Sequence, residues 1–318
     1  MKKAAGRENE KREGSGNALH KAADMLLPFL IYYIVHDLAA VLLAFLTGLS
    51  LGCFGEGYRK FMETHAASAD GVRNGLALCI GALAVWPMTK RELQQAEWQE
   101  TGNGRQRREM PAVKTERQAG GQKAAKILQG QGGKEAKRKA SEYALLLICA
   151  LSMALGMNLL LTFTGLTGVS ENYTEIAGRQ YGVAFGLGLV LYGAVSPVAE
   201  EMVFRGLIYN RMKRHLRTGA AIVLCGMLFG IYHGNLVQGI YGCVLGIGIT
   251  LMYEWYGSIS APILFHGAAN AGVFAVSYGK EIFQGTASLV CGIGLLGISF
   301  ACFFAAGSRK GGMRQRDR

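Results

Sequence analysis

The 318-residue chain is 50% hydrophobic but only 18% charged, with 45 Gly, 5 Pro and a formal net charge of +12. Ordinary soluble domains carry about 25% charged residues, and here the charges gather in blocks between long stretches that have almost none. That layout excludes a disordered chain, a collagen-like chain and a small disulfide scaffold, and it argues against a soluble enzyme.

A helix needs about 20 mostly apolar residues to cross a bilayer core. The pattern predicts a basic tail over 1–24, then spans over 25–52 and 72–88. A basic linker follows over 89–142, with thirteen Lys or Arg against seven acids. It lacks the aromatic interleaving of a nucleic-acid binder and is expected to lie near anionic headgroups. Spans over 143–166, 181–208, 219–234, 236–256, 258–277 and 285–306 form the expected core of the protein, 143–306, before a basic tail over 307–318. The expected fold class is all-α, a polytopic membrane helix bundle of about eight transmembrane helices.

Charge placement sets the expected orientation. With both termini inside, the inner segments 1–24, 89–142, 205–218 and 307–318 hold 29 of the 34 Lys and Arg. The outer loops keep only Arg59, Lys60, Arg73, Arg179 and Lys280. Lys and Arg are enriched on the cytoplasmic side of membranes, so the second span is retained although it is short. The seven cysteines all fall in apolar stretches without a C-x-x-C pair. They read as small buried hydrophobes, not as disulfides or metal ligands.

Ionisable groups inside spans are costly and mark candidate sites. The fourth span contains S-P-V-A-E-E-M-V-F-R-G. Glu201 and Arg205 are four apart, share a helix face and can pair, whereas Glu200 points about 100° away and keeps a free carboxylate. The fifth span carries Phe229 and His233, and the seventh carries His266 and Asn270 at i, i+4. At about 1.5 Å per residue, Glu200 lies roughly 16 Å inside Arg211, His233 about 22 Å beyond Thr218 and His266 about 12 Å beyond Ser258. Tilt or a broken helix must bring them level. Pro197 and Pro262 are expected to kink their helices beside these groups. Gly226, Gly230, Gly242 and Gly246 form G-x-x-x-G pairs for close helix packing. His36 and Asp37 are expected to line a cavity or bond to neighbours, and Asn158, Gln238 and Glu254 to be interhelical or interfacial polar groups.

A carboxylate base, two imidazoles and an amide, without a Ser or Cys nucleophile, suit hydrolysis by water. A non-enzymatic scaffold and a proton-relay transporter remain open alternatives at this point, although no internal repeat supports the transporter.

E-E-x-x-x-R (Glu200, Glu201, Arg205), F-x-x-x-H (Phe229, His233) and H-x-x-x-N (His266, Asn270), in that order and each in its own span, resemble the motif set of the CPBP intramembrane endopeptidase family. That family includes CAAX proteases and bacteriocin-processing enzymes, and its shared region is called the Abi domain. The resemblance covers about 143–306. It implies a hydrolase of the bacterial cell membrane that acts on a membrane-associated peptide or protein, with an active site open to the cytoplasm. Carried over, Glu200 is the general base, His233 orients the attacking water, and His266 and Asn270 form the oxyanion hole. Glu201, Arg205 and Phe229 support them. A bacteriocin-immunity role is the non-enzymatic counterpart. No metal is expected, since H-E-x-x-H is absent; the zinc version of the enzyme would use Glu200, Glu201, His233 and His266.

Overall fold

A computed structural model describes residues 2–105, 140–278 and 285–316. The described chain is all-helical. In order the helices are α1 (Lys2–Cys53), α2 (Glu56–Thr64), α3 (Ala66–Arg105), α4 (Ala140–Phe163), α5 (Leu166–Val169) and α6 (Glu171–Tyr181). Then come α7 (Phe185–His215), α8 (Thr218–Tyr232), α9 (Leu236–Tyr256), α10 (Ser260–Tyr278) and α11 (Thr286–Arg316).

Six of these are long and apolar enough to cross a membrane: Ala18–Cys53, Ala66–Ala96, Ala140–Phe163, Phe185–His215, Leu236–Tyr256 and Thr286–Ser308. The chain is an integral membrane protein. The other two expected spans, 219–234 and 258–277, are also helices. At 15 residues, α8 reaches only about 22 Å against a core of roughly 30 Å. In α10 the polar His266 and Asn270 dilute an otherwise apolar run. The expected linker, 89–142, begins as helix, because α3 continues to Arg105. Residues 106–139 of it lie outside the described residues.

Large apolar side chains of α1, among them Leu30, Leu38 and Val41, face outward. In lipid this outward face costs nothing, so cohesion comes from close packing and buried hydrogen bonds. Two packed clusters result. One joins Tyr32 of α1 and Leu78, Ala82 and Val85 of α3 to Val203–Met212 of α7 and to Cys225 and Phe229 of α8. The other joins Leu146–Ala154 of α4, Leu245–Tyr256 of α9, Ala261–Ala269 of α10 and Cys302 of α11.

Local sequence sets three details. First, α7 is not a uniform α-helix: Leu191–Val195 and Phe204–Tyr209 are π-helical turns on either side of the α-helical Ser196–Val203. Pro197 supplies no N–H to the turn before it, and π turns absorb such a gap. Second, Pro262 lies in the first turn of α10, where its missing N–H would be unpaired anyway; the kink expected there is not needed. Third, Gly234 at φ 71° ends α8 one residue after His233, and the Asn235 side chain accepts from Gln238 N at 2.9 Å to start α9. This turn fixes His233 at the helix end.

Candidate active site

Glu200, Glu201 and Arg205 are all buried on α7, and His266 is buried on α10. Arg205 Nη1 donates to Glu201 Oε1 at 2.6 Å, Nη2 to the Gly246 carbonyl at 2.9 Å and Nε to Thr250 Oγ1 at 3.3 Å. Its guanidinium also lies 4.7 Å from the centre of the Phe229 ring, a favourable cation–π contact. The guanidinium is therefore hydrogen-bonded on several sides, which offsets part of the cost of burying two charges, whereas Glu201 Oε2 is buried with no hydrogen-bond partner among the described residues.

His266 Nδ1 lies 2.8 Å from Glu201 Oε1. A carboxylate only accepts, so the proton between them sits on Nδ1. The other ring nitrogen, Nε2, is 3.1 Å from Asn270 Nδ2 and 3.8 Å from Glu200 Oε2. With a neutral ring, Nε2 accepts from the Asn270 amide. Glu200 is not bonded to Arg205; instead Ser196 Oγ donates to its Oε1 at 2.7 Å. On α8, His233 Nδ1 donates to the Phe229 carbonyl at 2.8 Å, which leaves the Nε2 lone pair available. The Phe229 ring stands edge-on to both imidazoles, at 5.0 Å from His233 and 5.5 Å from His266.

Glu200, His233 and Asn270 line one cavity of about 660 Å³, together with Ser196, Tyr192, Tyr241 and Tyr232. His36, Asp37, Asn158 and Gln238 line it too. Glu254, by contrast, sits far from it, where it accepts from Lys213 and Tyr209. The cavity wall contributed by α6 includes Tyr173, whose hydroxyl burial pushes up to about 12. All seven residues singled out by the motifs thus meet around one cluster and cavity. Sequence reasoning missed Ser196, Thr250 and the Gly246 carbonyl. Ser196 could have been found, since it precedes Glu200 by one helical turn. The bonds from Arg205 to α9 leave no mark in the sequence, where Gly246 stands out only as a packing glycine.

The same residues do not fit a zinc site. Glu201 and His266 face each other, and Arg205 holds the same carboxylate oxygen. Among the described residues no three His, Cys, Asp or Glu side chains converge as ligands would.

Fold and site together define a membrane-embedded helical protein in which buried Glu200, Glu201 and His266 stand beside half-buried His233 and Asn270. Residues 182–272, under a third of the chain, match the family model described as type II CAAX prenyl endopeptidase Rce1-like. Over that stretch the chain is similar to this family of endopeptidases. Every motif residue falls within the matched stretch. No curated protein and no solved structure matches the chain.

Proposed function

We propose that the protein is an intramembrane endopeptidase that cleaves a membrane-associated peptide or protein by glutamate-activated water. The observation that carries this reading is the division of labour between two adjacent carboxylates. Glu201 holds Arg205 and His266 through one oxygen and stays out of the cavity wall, whereas Glu200 accepts from Ser196 on Oε1, has Oε2 3.8 Å from His266 Nε2 and lines the cavity.

In this mechanism Glu200 Oε2 takes a proton from water while His233 Nε2 accepts the second hydrogen bond and aims the nucleophile. The Asn270 amide donates to the developing oxyanion, and His266 Nε2 joins it when the ring is protonated. The proton on Glu200 then passes to the leaving amine. Glu201 and Arg205 hold His266, and Phe229 packs against both imidazoles. No step requires a metal. Eight crossings belong to this proposal, with α8 and α10 added to the six long apolar helices and with the basic segments and both termini at the cytoplasmic face. The expected domain limits, a core over 143–306 behind two N-terminal spans, belong to the same reading.

Cleavage of a membrane-anchored peptide library by purified protein tests this. Glu200→Gln keeps the shape and removes the base, so turnover is expected to fall at least ~10²-fold. Wild-type turnover in that variant would reject the mechanism. A scaffold or immunity protein would keep its partner binding or protection unchanged in Glu200→Ala.

A further inference from the structure

The two ends of the bundle differ in charge, and the cavity belongs to only one of them. At the first end, Arg211 donates to Glu92 at 3.1 Å and to the Asp24 carbonyl at 3.0 Å. Arg214 reaches Glu92 at 2.9 Å, and Lys213 reaches Glu254 at 2.7 Å. These contacts gather the start of the first span, the far part of α3, the end of α7 and the end of α9. The Tyr256 hydroxyl donates to the Glu142 carbonyl at 2.7 Å, which adds the start of α4. The sequence between Arg105 and Ala140 carries ten more Lys and Arg.

The cavity is lined from the opposite end. Its wall includes Asp70 and Asn74 at the start of α3, Asn158 near the end of α4 and Tyr181 of α6, with Gln238 at the start of α9 and Phe274 late in α10. The Ala184 N–H bonded to Ser68 Oγ at 3.1 Å ties the start of α7 to the start of α3 at this end. Between Glu200 and the basic end the bundle is plugged: Phe204, Arg205, Leu207, Ile208 and Tyr209 are 0% exposed, and so is Tyr32.

Lys and Arg mark the cytoplasmic side of a membrane protein. Resting on the endopeptidase reading above, we infer that the catalytic cavity opens on the non-cytoplasmic face, and that the substrate is a polypeptide segment presented on that face next to the membrane. A lipid-modified C-terminal peptide held in the cytoplasmic leaflet would meet the plugged end. This is the reverse of the cytoplasmic opening that the family resemblance implies.

Two measurements on the full-length protein in its membrane decide it. Native Cys53 is exposed at the far end of the first span. A membrane-impermeant maleimide is expected to label it in intact cells, with the signal lost in Cys53→Ser. Arg217→Cys, placed in the Cys53→Ser background, is expected to label only in inverted vesicles. Single-span reporters with a randomised juxtamembrane segment, displayed on either face, supply the second readout. Wild type should cut the outward reporter, Glu200→Gln should cut neither, and the inward reporter should stay whole. Labelling of Arg217→Cys from outside, or cleavage of the inward reporter, would overturn the inference. Absence of cleavage even in detergent, where both faces are open, would reject the endopeptidase reading instead, while the labelling still decides the sidedness.

Discussion

Two neighbouring glutamates end up with opposite tasks because a helix turns about 100° per residue. Glu201 points along the Arg205 face and toward His266, and Glu200 points into the cavity. Replacing Arg205 by Ala would strand a fully buried carboxylate. A loss of about 3–5 kcal/mol is expected from such a broken pair, seen as a lower unfolding temperature in detergent and loss of activity. Asn270→Ala leaves the ion pair intact; it should cost about 10²–10³-fold in turnover, the usual effect of losing an oxyanion donor, with little change in stability. Equal stability losses in the two variants would contradict this assignment of roles. The Glu201–Arg205 pairing was legible from i, i+4 spacing alone. The Glu201–His266 bond was not, because those residues are 65 apart in sequence and only the packing of α10 on α7 brings them together.

At the scale of elements, that packing depends on absent side chains. A Cβ at Gly267, next to His266, would collide with the Gly193 carbonyl of α7. Gly226 and Gly230 of α8 lie as closely against α9, where a Cβ on Gly246 would come within 3.1 Å of the Gly226 Cα. Gly267→Ala and Gly230→Ala are each expected to cost about 1–3 kcal/mol, the usual range for overpacking. Gly267→Ala should also lower activity, since α10 carries His266 and Asn270. Gly219→Ala, where a Cβ would meet nothing within 4 Å, serves as the control and should be neutral or slightly stabilising. Thermal unfolding of the three variants in one detergent checks the ranking. The G-x-x-x-G spacing announced the α8–α9 contact in the sequence. The π-helical turns around Glu200 were not announced: Pro197 suggested a break, but which turn absorbs it depends on neighbouring helices.

For the whole molecule, the stretch matched to the family is not a separable unit. Tyr32 of α1 is fully buried, and its hydroxyl lies 2.9 Å from that of Tyr232 on α8. Leu78, Ala82 and Val85 of α3 pack into the same cluster as Phe204 and Phe229. Removing residues 1–105 should therefore leave a chain that is degraded or inactive, whereas Tyr32→Phe should cost only about 1 kcal/mol, one hydrogen bond. Stable, active protein from 106 onward would show that the first helices are dispensable. Composition foretold a membrane bundle, because it is a bulk property of the chain; the blocks of Lys and Arg carry the expectation for its orientation. The side on which the cavity opens was not legible, since it depends on where bulky residues such as Phe204 and Tyr209 close the bundle.

The central claim is that a glutamate, not a metal, activates water. It is tested most directly by cleavage of one membrane-anchored peptide by purified wild type and Glu200→Gln, each with and without a strong chelator. Loss of cleavage in Glu200→Gln together with full chelator resistance of the wild type is the expected result. Wild-type cleavage abolished by chelator and restored by added zinc would contradict it, and would turn the same carboxylates and imidazoles into ligands.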